Sequence, residues 1–136
     1  MKKIRFLEIH FQSIDNFFQK AIDSVETNTP YIKPRHHIFF DSISSLRSYL
    51  TQQKIQLLTV IANQRPSSIY ELAKIVDRDF AGVQRECTNL AATGFIKLKK
   101  TKDPRKTLVP LLKFDYEGII VWLPKSPYQI RFNVAA

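Results

Sequence analysis

Hydrophobic positions in this chain recur with two periods, near 2 and near 3.6 residues, and the switches between them divide it into elements. Residues 3–10 read as a short strand with Ile4, Phe6 and Ile9 as packing residues. Ser13 then stands as a cap, and Ile14, Phe17, Phe18, Ala21, Ile22 and Val25 share one face of a helix running to about Thr27. That stripe serves either the core or a contact between two copies; its opposite face, with Asp15, Gln19, Lys20, Asp23 and Glu26, is too little basic for a helix lying on a membrane. Asn28, Thr29, Pro30 and Pro34 punctuate a loop, and residues 35–40 form a second strand placed to pair with the first. Asp41 and Ser42 cap a helix carrying Leu46, Tyr49 and Leu50. Thr51 caps the next, whose apolar residues Ile55, Leu57, Leu58 and Ile61 are expected in the core before it ends near Asn63.

The most informative stretch follows, at residues 68–100. Ser68 caps a short helix, Glu71 completes a capping box, and Leu72, Ala73 and Val76 give it an apolar face. After the polar turn Asp77-Arg78-Asp79, Asp79 caps a second helix with Val83, Cys87, Leu90 and Ala91 inward, and Gly94 stands where a left-handed closing residue belongs. Residues 95–100 and 108–112 read as strands joined by the loop 101–107. Two helices with a short turn, then a hairpin, outline a winged helix-turn-helix of the α+β class. The expected division is an amino-terminal strand-helix-strand extension at 1–40, the winged helix at 41–118 and a carboxy-terminal strand extension at 119–136. In the last segment residues 119–123 and 129–134 are strand candidates around Pro124 and Pro127, while Trp122, Tyr128 and Phe132 either close the core or offer a surface to a partner, core being the expected role.

Composition adds the sign of the partner. The 136 residues suit one domain, and 44% hydrophobic with 12% aromatic residues is enough to fold. A formal net charge of +9 attracts polyanions. Lys97, Lys99, Lys100, Lys102, Arg105 and Lys106 face only Asp103 within their run, so over half of that excess gathers on the hairpin, a wing at about 97–107. The single Cys87 excludes an intramolecular disulfide and suits a reducing, cytoplasmic setting; core-facing, it is a small hydrophobe rather than a redox sensor. Arg5, Glu8 and His10 interrupt the amino terminus before a signal-length apolar run, and no stretch is long enough to span a bilayer, so no membrane partner is expected. Adjacent His36 and His37 would point to opposite faces of a strand and could not grip one ion, and His10 stands alone, so neither a metal nor another cofactor is expected. With no glycine-rich phosphate loop and no nucleophile beside a recognisable base, an enzyme is not expected either.

With the second motif helix, at about 79–93, as the reading helix, Ala81, Gly82, Gln84, Arg85, Thr88 and Asn89 face outward. Arginine can donate two bonds to guanine and glutamine can bond adenine both ways, so Gln84 and Arg85 lead, while Ala81 and Gly82 allow close approach of the backbone. Ser68 and Tyr70 are placed for the phosphate backbone. Asp79 and Glu86 would repel DNA, so capping and structural pairing are their expected tasks. Through SIYELAKIV, DFAGVQRECTNLAATGFI and KLKKTKDPRKTLVPL, residues 68–118 resemble the MarR-like winged helix-turn-helix transcriptional regulators. The longer run from FFDSISSLRSYLTQQKIQLLTVI onward is similar to a subfamily of small putative DNA-binding proteins that includes toxin-neutralising antitoxins. Ala81 and Gly82 depart from the polar or basic residues that subfamily carries early in its reading helix. The reading is a sequence-specific transcriptional regulator of double-stranded DNA, a repressor or autoregulator expected to be a dimer because one reading helix and wing bury little surface while two half-sites add effective concentration; the alternative is an antitoxin or interaction module that neutralises a protein toxin, with DNA binding secondary.

Overall fold

The computed structural model describes residues 6–28, 36–102 and 107–123. Alternation along FLEIHF builds β1 (Phe6–Phe11) and turns Leu7 and Ile9 inward, both fully buried. The strand forms where expected but with the opposite phase to Phe6, which stays 44% exposed, because the adjacent apolar pair Phe6-Leu7 leaves the alternation undetermined locally. Ile4 lies outside the described residues. After α1 (Ile14–Thr27), closed by Asn28 in the left-handed region, β2 (His37–Phe40) returns parallel to β1, with Ile9 opposite Ile38. The expected pairing of the two amino-terminal strands is therefore present.

Three helices follow, each started by the side-chain oxygen foreseen for it. Ser42 accepts from the Ser45 amide ahead of α2 (Ile43–Tyr49), and Thr51 accepts from the Lys54 amide ahead of α3 (Gln52–Gln64). Ser68 accepts from the Glu71 amide at 3.0 Å ahead of α4 (Ile69–Val76). The Glu71 carboxylate reaches one residue further back than a capping box predicts, to the Ser67 amide at 3.3 Å and to the Ser67 hydroxyl. In α3, Leu57, Leu58 and Ile61 are buried, whereas Ile55, expected inside, is 47% exposed on the opposite side of the helix. Then come α5 (Phe80–Thr93) and the antiparallel hairpin of β3 (Ile96–Lys100) and β4 (Leu108–Leu112). Pro110 fits β4 because a two-stranded sheet leaves one side of each strand without a ladder partner.

The last described element returns to the first. β5 (Gly118–Val121) pairs parallel with the other side of β1, Leu7 opposite Ile119, giving a three-stranded parallel sheet in the order β2-β1-β5. Among the described residues the chain is thus α+β, with five helices and two small sheets. The sheet's inner residues Leu7, Ile9 and Ile38 belong to one core with Leu57, Leu72, Val83, Leu90 and Phe95 from the helices and the hairpin's root. Each fully buried side chain of this size stabilises by roughly 1.5–3 kcal/mol relative to an exposed one.

Two apolar expectations end differently. The α1 stripe does not enter this core: Phe18, Ala21, Ile22 and Val25 are all exposed, Val25 at 82%. The side chains of Ile14 and Phe17 lie outside those described. Trp122, expected to close the core, is 53% exposed beside the sheet's outer face, while Tyr128, Phe132 and the strand candidate at 129–134 lie outside the described residues.

Candidate nucleic-acid interface

The interface is assembled from the local chemistry of α4, its turn and α5. Asp77 closes α4 in the left-handed region, with φ 55°, and its amide donates back to the Ala73 and Lys74 carbonyls. Two residues later the Asp79 carboxylate accepts the Gly82 amide at 2.9 Å and starts α5. Gly94, at φ 108°, ends α5 as foreseen. Between these caps Val83, Cys87 and Leu90 are fully buried, which fixes the rotation of the helix and turns Ala81, Gln84, Arg85, Thr88 and Asn89 to solvent, with Gly82 half-buried.

The outward residues are not equivalent. Gln84 and Arg85 are exposed, and Arg85 makes no ion pair among the described residues. Thr88 donates its hydroxyl to the Gln84 carbonyl at 2.9 Å, so its proton is engaged within its own helix. Asn89 projects its amide outward while its backbone carbonyl takes the Tyr49 hydroxyl at 3.0 Å, which fastens α5 to the end of α2. The space at Gly82 has an internal cause: a Cβ there would lie 3.0 Å from the Asp79 carboxylate. That carboxylate also puts an anion at the start of α5, where it complements the helix dipole and leaves the first turn a poor seat for phosphate.

The other acid of α5 is neutralised. Glu86 pairs with Arg78 at 2.7 Å, both about four-fifths buried, and the bond from Glu86 is the main reason the guanidinium is raised above its ordinary value. Arg78 lines one groove with Thr51, Gln53 and Lys54 from the start of α3 and with Asp79, Gly82, Arg85, Glu86 and Asn89 at and along α5. Sequence reasoning missed Gln53 and Lys54 in this setting, because the start of α3 lies about thirty residues from Arg85 and only the tertiary fold brings them side by side. Lys54 is itself held there, donating to the Tyr49 carbonyl at 3.0 Å with its ammonium 3.9 Å from the Tyr49 ring centroid.

Of the remaining candidates, Ser68 is spent on its cap, and Tyr70 is 58% exposed with the Lys74 ammonium 4.6 Å from its ring centroid and Phe80 nearby. Lys97, Lys99, Lys100 and Lys102 are exposed on the hairpin, where the Thr101 amide donates to the Thr107 carbonyl at 3.0 Å. Lys97 shares a depression with Arg65 and Lys113. Arg105 and Lys106 lie outside the described residues.

A second polar cluster sits across the sheet from the core. Glu8 and His10 alternate outward on β1, and His37 stands opposite Glu8 on β2. His36 precedes the first strand residue, so the alternation that would have sent it away from His37 does not apply, and both imidazoles reach the same oxygen: His36 Nε2 is 2.9 Å and His37 Nε2 3.0 Å from Glu8 Oε2. His10 Nε2 lies 3.4 Å from Glu8 Oε1, and the Trp122 indole donates to that same oxygen and stacks on the His10 ring. Partial burial opposes ionisation of Glu8, but the bonds from Trp122 and His37 and the nearby His36 hold its carboxyl below the ordinary range. Desolvation, aided by His10, pulls His37 below its ordinary value against the attraction of Glu8.

An α+β body presenting a solvent-facing polar helix beside a lysine-bearing hairpin is the class that this geometry defines. The chain belongs to the HVO_A0114 family, whose model matches residues 49–118, just over half of its length, from the end of α2 to the first residue of β5. No curated protein and no solved structure matches it.

Proposed function

We propose that this protein is a sequence-specific DNA-binding transcriptional regulator of the MarR-like winged helix-turn-helix kind, acting as a homodimer. The reading helix is α5 and the wing is the β3–β4 hairpin. The observation that carries this reading is the state of the charges on α5 and on the hairpin that follows it: Arg85, Lys99 and Lys100 are exposed, while Asp79 and Glu86 are occupied by a helix cap and by Arg78. Arg85 and Gln84 then offer donors to base edges or phosphates, Asn89 extends the row by one turn, and the hairpin lysines neutralise the flanking backbone. With Asp79 at its tip and Ala81 and Gly82 in its first turn, α5 reads few bases directly, so groove shape carries part of the specificity.

Titration of binding to random duplex DNA against salt tests the reading. Affinity falls steeply, with a log–log slope of about −0.9 per neutralised phosphate, and Lys99→Gln with Lys100→Gln flattens the slope by about 2. Binding that is absent or indifferent to salt refutes it.

A second reading, a module that captures a protein such as a toxin, is favoured by the exposed apolar residues Ile22 and Val25 of α1. It is compatible with the first.

A further inference from the structure

The geometry points to a divalent transition-metal site formed by Glu8, His36 and His37 on the outer face of the three-stranded sheet. The three ligand atoms lie within 4.8 Å of one another, and both imidazole nitrogens approach one carboxylate oxygen to 2.9 and 3.0 Å. An ion bound tetrahedrally at 2.0–2.2 Å separates neighbouring donors by roughly 3.3 Å, so small side-chain rotations open the cluster to the required size. Two imidazoles and one carboxylate suit zinc, cobalt or nickel, and are too nitrogen-rich for calcium or magnesium.

Three further features belong to a ligand set rather than to a casual surface network. The Glu8 carboxylate is oriented from behind by the Trp122 indole, the kind of outer hydrogen bond that fixes metal-binding carboxylates. His10 Nε2 is buried without a hydrogen-bond partner and stands 3.4 Å from the other oxygen of Glu8, a polar neighbour behind the three donors. The backbone holds the donors together, since the Glu8 amide donates to the His36 carbonyl at 2.8 Å and β1 and β2 are in register through Glu8 and His37. All four side chains lie outside the span matched by the family, so the site would be an attribute of the amino-terminal sheet and not of the helix–hairpin unit.

The chain's single tryptophan, Trp122, donates to this carboxylate and therefore reports on it. Tag-free, full-length protein stripped with a chelator is titrated with Co2+ while tryptophan fluorescence and visible absorption are followed. Quenching should saturate at one equivalent per chain, with d–d bands of a low-coordinate ion, and Zn2+ should displace the cobalt. His36→Ala and His37→Ala should each weaken binding by about tenfold or more, and calorimetry should show Trp122→Phe weakening it by at least about tenfold. The wild-type protein supplies a readout independent of whether any variant folds: of its three histidines, Zn2+ should shift the imidazole proton resonances of His36 and His37 at one equivalent. Unshifted His36 and His37 resonances, no saturable binding, or folded His36→Ala and His37→Ala proteins that bind like wild type would overturn the proposal.

Discussion

Burial decides the chemistry of Cys87. Full desolvation in the core, with Glu86 adding to it and Arg78 opposing, pushes its thiol up to about 11. The folded chain thus keeps the proton that an unfolded chain releases from about pH 9, so this contribution is complete below that pH and is lost as pH rises towards 11. The loss is on the order of 2 kcal/mol, and raised Tyr49 and Tyr116 hydroxyls extend the same trend to higher pH. Urea midpoints should fall between pH 9 and 11, less steeply in Cys87→Ala, and the native thiol should resist alkylation at pH 8 until denaturant is added. Gly94 was legible from its position after the last apolar residue of α5; at φ 108° an L residue is strained, so Gly94→Ala should cost about 1–2 kcal/mol by chemical denaturation. Tyr116 was not legible, because its hydroxyl donates to the Phe95 carbonyl 21 residues away, at 3.0 Å. That carbonyl also accepts the Lys113 amide at 3.3 Å, so Tyr116→Phe should cost only about 1 kcal/mol.

At the scale of elements, caps and periods were readable and destinations were not. The spacing of α1 gave a helix to Thr27, and the helix is there, but its apolar side is exposed rather than buried in the described chain. A dimer built on that face would be disrupted by paired charges: Ile22→Asp with Val25→Asp should convert the dimer to a monomer by light scattering without loss of helical signal. A wild-type protein that is already monomeric at high concentration would remove α1 as the dimer contact. The caps Ser42, Thr51, Ser68 and Asp79 were all recognisable because each bond closes within three residues. Asp79→Ala should lower stability by about 1 kcal/mol, read as a shift of the urea midpoint. Under the proposed function it should also strengthen DNA binding slightly on all sequences by removing a negative charge from the tip of α5.

For the whole molecule, the proposed function concentrates on α5 and the hairpin that follows it, whose inner residues Val83, Cys87, Leu90 and Ile96 belong to the core. Arg85→Ala should weaken binding to a cognate site by about 1–3 kcal/mol and leave random DNA nearly unaffected if it reads a base, as competition binding would measure; an equal loss on both would make it a phosphate contact. The parallel sheet ties the first described strand to the last, with Trp122 bonded to Glu8 over 114 residues of sequence. No described helix is long and apolar enough to cross a membrane.

By itself the sequence determined the order of the elements, where helices begin and end, the inward face of α5 and the concentration of lysine on one hairpin. Those features depend on interactions within a turn or on composition, which a linear pattern carries. Only the tertiary structure decided that Leu7 and not Phe6 faces the core, that β5 completes the amino-terminal sheet, that Gln53 and Lys54 border Arg85, and that three histidines gather around Glu8. Each of these joins residues far apart along the chain, and such meetings are set by which surfaces can be buried together over the entire fold, a choice that no short stretch of sequence can make.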